Sequence, residues 1–237
     1  MLPTMDTTHL DIKGIKPPLK LADFKLIAFD MDSTLISIEC VDEIAEAAGR
    51  RAEVSAITEA AMSGEIDDYK ESLRQRVALL KGVSTAQMDQ VLRERLRFNP
   101  GAVELISACQ RAGLKVLLVS GGFTHFSDHV REQLGIGFVR ANVLEVQDGA
   151  LTGRMVDQPW GDICDGAEKR KMLIETCVQL GISLQQTIAV GDGANDIPMM
   201  GVAGLSVAFH AKSAVREFAQ VNIQTGGLDQ LLKIFTT

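Results

Sequence analysis

The chain has 237 residues, 46% hydrophobic and 23% charged, the balance of a folded globule, which excludes a disordered or fibrous protein. Its formal net charge of -7 argues against a nucleic-acid binder, because a phosphate backbone would be repelled. No apolar run is long enough to span a bilayer, and the opening MLPTMDTTHLDIKGIKPPLK has no apolar block before a small-residue cleavage site.

Pro17-Pro18 breaks any helix ahead of the first apolar run. Leu26-Ile27-Ala28-Phe29 then reads as a short buried strand that ends at Asp30. Residues 40–99 carry four amphipathic helical patterns: Val41, Ile44, Ala45 and Ala48; Val54, Ile57 and Ala61; Leu73, Val77 and Leu80; Met88, Val91, Leu92 and Leu96. Ser84-Thr85-Ala86-Gln87 fits a capping box at the start of the fourth, and Asn99-Pro100-Gly101 closes the segment. Such a segment reads as a small helical bundle inserted after the first strand, a cap over a site. The alternative is helices lying flat on a sheet as part of its core.

Further on, Val103, Leu105 and Ile106 open a helix that stops near Gly113, and Val116-Leu117-Leu118-Val119 forms a strand ending at Ser120-Gly121-Gly122. A β-hairpin is expected near 142–154, where Val143–Val146 and Leu151–Gly153 flank Asp148-Gly149. Met172, Leu173, Cys177 and Leu180 mark a helix stopped by Gly181. The run Thr187–Val190 ends at Gly191-Asp192, and Leu205–Phe209 and Val221–Ile223 could extend the same sheet. Alternating strands and helices predict an α/β fold: a Rossmann-like, mostly parallel sheet flanked by helices, with the helical bundle inserted. Its domains would be 1–39 with 100–237, and 40–99.

In such sheets ligands bind beyond the carboxyl ends of the strands. Here three strand ends deliver Asp30, Ser120 and Asp192 to that edge, with Asp32 two residues after Asp30. Gathering these carboxylates is repulsive unless a cation offsets them, and hard oxygens with no nearby His or Cys suit Mg²⁺. Glycines at Ser120-Gly121-Gly122 let backbone amides approach an anion. Lys169 stands where a cation would meet a phosphate, although on its own it reads as a solvated helix residue.

Taken in order, D-x-D-S-T at Asp30, V-S-G-G-F at Val119, Lys169 and G-D-G-A-N-D at Gly191 resemble the haloacid dehalogenase superfamily of phosphotransferases. Glu39 with Val41-Asp42-Glu43-Ile44-Ala45, and Ser72-Leu73-Arg74-Gln75-Arg76-Val77, narrow the resemblance to its phosphoserine phosphatase family, over roughly residues 25–210. The resemblance implies hydrolysis of O-phospho-L-serine through an aspartyl-phosphate, the last step of serine biosynthesis. Asp30 would be the nucleophile and Asp32 the general acid and base. Asp30, the backbone carbonyl of Asp32, and Asp192 would hold Mg²⁺, with Asp196 orienting them from behind. Ser120, Gly121 and Lys169 would bind the phosphoryl oxygens, beside Gly122, and Asn195 would touch phosphate or substrate. Glu39 would take the substrate ammonium and Arg76 its carboxylate. Met62 and Tyr69 match apolar cap positions closing over the substrate, where that family usually has Phe in place of Tyr69.

His125 and His129 have the spacing of a zinc pair but lack the glutamate of H-E-x-x-H and a third ligand, so no zinc is expected. Trp160 reads as packing. Cys40, Cys109, Cys164 and Cys177 include no C-x-x-C pair and fit reduced thiols. The expectation is a cytoplasmic monomer or homodimer acting on a small molecule, with no membrane or nucleic-acid partner and too few residues before Leu26 for a regulatory domain. Competing readings are a related capped phosphatase or phosphotransferase for another small phosphomonoester, and a non-catalytic phosphometabolite-binding protein.

Overall fold

Short aliphatic runs bounded by glycine and acidic turns become the strands of one sheet. The computed structural model describes residues 10–63 and 68–236, apart from the side chains of 61–63. Strands β1 (Leu10–Ile12), β2 (Leu19–Lys20) and β3 (Leu26–Phe29) precede four helices: α1 (Cys40–Ala47), α2 (Arg51–Ser63), α3 (Tyr69–Ala78) and α4 (Thr85–Glu94). Then come α5 (Ala102–Arg111), β4 (Lys115–Phe123), α6 (Thr124–Leu134), β5 (Phe138–Gln147) and β6 (Ala150–Val156). The chain continues through α7 (Gly166–Leu180), β7 (Thr187–Gly191), α8 (Ile197–Met200), β8 (Leu205–Phe209), α9 (Ser213–Phe218), β9 (Val221–Ile223) and β10 (Phe235–Thr236). Among the described residues, no helix is long and apolar enough to cross a membrane.

The main sheet runs β1-β9-β8-β7-β3-β4-β5-β6, parallel from β9 to β5, with antiparallel strands β1 and β6 at its edges. Phe29 stands opposite Leu118 of β4 on one side and Val190 of β7 on the other. The chain leaves β3 for β4 on one side and later crosses back from β6 to β7 on the other, which makes the carboxyl ends of β3 and β7 a topological switch point. The strands are buried on both faces, and alternate residues supply them. Ile27, Phe29, Leu118, Val190 and Val207 belong to one apolar cluster; Ala28, Leu117, Val119, Ala189 and Ala208 belong to the other, beneath α7 and α8.

The hairpin turn has positive φ at Asp148 (51°) and Gly149 (77°), as a two-residue connection requires. Its strands extend beyond 142–154, because the first half of β5 also pairs with β4. Strand β1 has no counterpart among the sequence expectations: Leu10-Asp11-Ile12 is too short to show a period, and its place comes from pairing with β9.

Between β3 and α5, the outgoing and returning chains meet where Ile36 bridges Phe98. The Asn99 amide ties them together by donating to the carbonyls of Ser33 (3.2 Å), Thr34 (2.9 Å) and Ile36 (3.2 Å). The capping box at Ser84 and Gln87 forms, with the Gln87 amide donating to Ser84 Oγ at 3.2 Å and the Ser84 amide to Gln87 Oε1 at 3.0 Å. Ile44, Leu73, Val77 and Leu80 join the cluster that contains Phe29, Val116 and Leu118, together with Leu35 and Ile36. The turn after α3 also lies on β6, where Gly82 N donates to Leu151 O and Leu151 N to Val83 O, each at 2.8 Å. These contacts pack the helical segment against the apolar cluster on one face of the sheet and against β6.

Candidate active site

Asp30 follows the last residue of β3, and its amide still donates to Val190 O at 3.0 Å, so the strand register sets its position. Its Oδ1 accepts from the Met31 amide at 2.7 Å, and its Oδ2 lies 2.8 Å from Lys169 Nζ. Lys169 is wholly buried near the start of α7 and also meets Asp196 Oδ1 at 2.7 Å. Asp196 Oδ2 accepts from the amides of Asp192 (3.1 Å) and Gly193 (3.0 Å), locking the turn after β7. A methyl group at Gly191 would collide with the Asp196 side chain, so this turn closes only around a glycine. Thr34 Oγ1 donates to Asp192 Oδ1 at 2.9 Å, joining the turn after β3 to the turn after β7.

Carboxylate oxygens of Asp30, Asp192 and Asp196 all lie within 4.8 Å of one another. Burial, then the nearby Asp196 charge, pushes the Asp30 carboxyl well above the usual carboxylate range. Asp192 is pushed up to about 7 by burial and by Asp196, against the pull of the Thr34 hydroxyl. Burial opposes the charge on Lys169, but Asp196 and Asp30 outweigh it and hold the ammonium well above its ordinary value. Three clustered carboxylates around one ammonium leave negative charge in excess, and all the donor atoms are hard oxygens. That donor set fits a divalent cation of the magnesium type. Asp196 is fully buried, with its oxygens engaged by Lys169 and backbone amides, whereas Asp30 and Asp192 face the cavity.

Asp32 lies in the turn after Asp30, where Ser33 adopts φ 57° and sends its hydroxyl to Glu39 Oε1 at 2.5 Å. Burial and then the Glu39 charge push Asp32 up to about 7, and hydrogen bonds from Cys40 pull the other way. A carboxyl poised near neutrality is suited to proton transfer. Ser120, fully buried in the last part of β4, accepts from the Gly122 amide at 2.8 Å, making Ser120-Gly121-Gly122 a bulged turn within the strand, where its register with β5 shifts between Val119 and Phe123, beside Asp32. Tyr69, the first residue of α3, lowers its hydroxyl onto this turn; a methyl at Gly121 would collide with it. Burial pushes the Tyr69 phenol well above its ordinary range, so it remains a neutral donor.

A cavity of about 610 Å³ opens over this floor. Asp30, Asp32, Asp192, Ser120, Gly121 and Gly122 line it, and so do Glu39, Tyr69, Arg76 and Asn195. Lys169 and Asp196 lie behind the floor and reach it through Asp30. Arg76 donates Nε to Ser72 O at 3.3 Å and has no carboxylate partner among the described residues. The Met62 side chain lies outside the described residues. His125 is drawn to Asp89, 3.2 Å away, and Trp160 lies under the Arg140 guanidinium at 5.3 Å. All four cysteines are buried and free.

Three contributors escape the sequence reasoning. Thr34 enters it only as the last letter of D-x-D-S-T, and its bond to Asp192 depends on two strands being neighbours. Cys40 touches Asp32, and nothing in a lone cysteine signals that. Lys212 lines the cavity beyond the carboxyl end of β8, with its amide donating to Asp192 O at 3.2 Å. Its signal is position alone: it lies three residues past a strand end, as the other site residues lie at or just past theirs.

A family model for haloacid dehalogenase-like hydrolases matches residues 27–201, and the chain belongs to that family. Among its relatives, the phosphoserine phosphatase of Albidiferax ferrireducens is 72% identical over 235 residues, covering 99% of each chain. The phosphoserine phosphatase of Polaromonas sp. is 72% identical over 234 residues, again 99% of each. A solved phospho-aspartyl intermediate analogue of phosphoserine phosphatase aligns with TM-score 0.82 and 40% identity, covering 90% of this chain and 99% of that one. A substrate-bound phosphoserine phosphatase complex aligns with TM-score 0.82 and 39% identity over the same shares.

Proposed function

We propose that this chain hydrolyses O-phospho-L-serine to L-serine and phosphate, the final step of serine biosynthesis. The observation that carries the reading is the buried Asp30–Lys169–Asp196 chain beneath a cavity also lined by Asp32, Glu39 and Arg76. Asp30, held at both oxygens, attacks phosphorus in line; its O–P bond forms as the bond to the serine oxygen breaks. Asp32 gives that oxygen its proton. Water then attacks the aspartyl-phosphate, Asp32 takes the water's proton, and phosphate leaves as the Asp30–phosphorus bond breaks.

Ser120, the Gly121 amide and Lys169 offset charge on the phosphoryl oxygens, with Gly122 leaving room for them and Asn195 beside phosphate or substrate. Glu39 takes the ammonium and Arg76 the carboxylate of serine, while Tyr69 closes over the cavity floor. Mg²⁺ would be held by Asp30, the backbone carbonyl of Asp32 and Asp192, oriented by Asp196, and would neutralise phosphoryl charge when bound. Residues 40–99 act as the cap and 1–39 with 100–237 as the core, in a cytoplasmic monomer or homodimer.

The test is phosphate release from phosphoserine, phosphothreonine and sugar phosphates, with and without Mg²⁺. Release that needs Mg²⁺ and favours phosphoserine is expected. Equal rates across the panel would discard the substrate, and binding of phosphoserine without turnover would discard the reaction.

A further inference from the structure

Cys40 opens α1, the first helix after the acidic turn, and is fully buried. Its amide donates to Asp32 Oδ2 at 3.3 Å, and its thiol donates to Asp32 Oδ1 at 3.0 Å. One residue therefore engages both oxygens of the carboxylate. Gly122 also approaches Asp32, where an added methyl group would stand 3.1 Å from Oδ2. Glu39, the residue before Cys40, accepts the Ser33 hydroxyl at 2.5 Å, so Cys40 sits at the junction between the two acidic side chains. Packing alone asks only for a small apolar side chain at a buried position.

We infer that Cys40 is a positioning residue: its thiol and amide hold the Asp32 carboxylate in the orientation that proton transfer needs. The role rests on the reaction proposed above, in which Asp32 gives and then takes the proton. Cys40 acts on the chemistry through Asp32 and touches no substrate. Because it belongs to a helix of the 40–99 segment, the seating of that segment and the aim of the acid/base are set together. A thiol is a weak donor, but a hydrogen bond to a charged group is worth enough for about a tenfold change in rate.

Phosphoserine turnover of Cys40→Ala, Cys40→Val and Cys40→Ser, each checked by thermal melting, tests this. Alanine and valine, which remove the donor, are expected to lower kcat about tenfold with KM within about twofold; serine, which restores one, should keep kcat within about threefold of the parent. Alanine matching the parent, or serine losing as much as alanine, would overturn the role. A parent inactive on phosphoserine would instead overturn the reaction, and a second measurement still reads the contact. The infrared S–H stretch of Cys40, assigned by its loss in Cys40→Ser, should lie below those of the other three free thiols and move up in Asp32→Ala. A band unmoved by Asp32→Ala would exclude the hydrogen bond.

Discussion

At the sheet edge, Asp30, Lys169 and Asp196 are buried, and each is held by at least two partners supplied by strand ends and helix starts. Across the cavity, Glu39 stands just before α1 and Arg76 lies on α3, a helix that joins the core through Leu73 and Val77 and is also tied by exposed contacts of Lys70 and Arg74 with Asp162. The first region is fixed by parallel register, which leaves little room for adjustment. The second adds to its buried packing ion pairs that water and salt can reach. Chemistry that tolerates little displacement is thus placed on the rigid part, and recognition on the adjustable part. Substitutions on the two sides should separate into losses of kcat and rises of KM.

The sharpest break would come at Asp30. Asp30→Asn removes the nucleophile, and phosphate release should fall by more than the roughly 10²–10⁴-fold that acid–base catalysis supplies. Acid-quenched enzyme should then carry no phosphate from labelled substrate, whereas the parent should. Activity within tenfold of the parent would mean that the strand-end cluster is not the reacting centre.

Lys169→Met tests whether the buried floor depends on its own charge balance. Lys169 is the ammonium between Asp30 and Asp196, and removing it leaves buried carboxylates uncompensated. Breaking a buried pair this way costs about 3–5 kcal/mol, measurable as a lower urea midpoint, with phosphate release lost as well. Added Mg²⁺ should return part of the stability if the cation occupies the same carboxylates.

Arg76→Ala should act on the other side. Losing a charge-assisted bond worth about 1.5–3 kcal/mol should raise KM for phosphoserine roughly 10- to 100-fold, with kcat falling less. For a phosphomonoester lacking the carboxylate, KM should barely move. A kcat loss equal to the KM change would merge the two regions and undo the contrast.

The same contrast explains which features are legible in the sequence. Asp30, Ser120 and Asp192 are, because short aliphatic runs end at them and parallel sheets place such ends along one edge. Asp148-Gly149 is, because a two-residue hairpin needs positive φ. By comparison, the partnership of Thr34 with Asp192 spans two strands whose order in the sheet no local pattern states. Strand β1 is equally silent, since three residues have no measurable period. The Lys70–Asp162–Arg74 contact joins segments far apart in the chain through charges that would look solvated on either.

That contact yields the smallest effect and the finest test. Lys70 meets Asp162 at 2.6 Å and Arg74 meets it at 2.7 Å, tying α3, which carries Tyr69 and Arg76, to the loop ahead of α7. Asp162→Asn should raise KM by at most about fivefold at low salt, the scale of about 0.2–1 kcal/mol for exposed pairs, by lowering the fraction of molecules with α3 seated. The Lys70 hydrogen bond holds the Asp162 carboxyl below its usual range, so its contribution is present above the ordinary carboxylate value and fades only as pH falls through the lowered one. Asp162 raises the Lys70 ammonium, whose contribution is present below the ordinary lysine value and fades as pH climbs past the raised one. Between about pH 5 and 9, the KM ratio of variant to parent should therefore stay flat. Salt should erase it instead, with the parent at about 1 M ionic strength resembling the variant. A ratio that changes with pH across that window while ignoring salt would mean that groups other than this cluster seat α3.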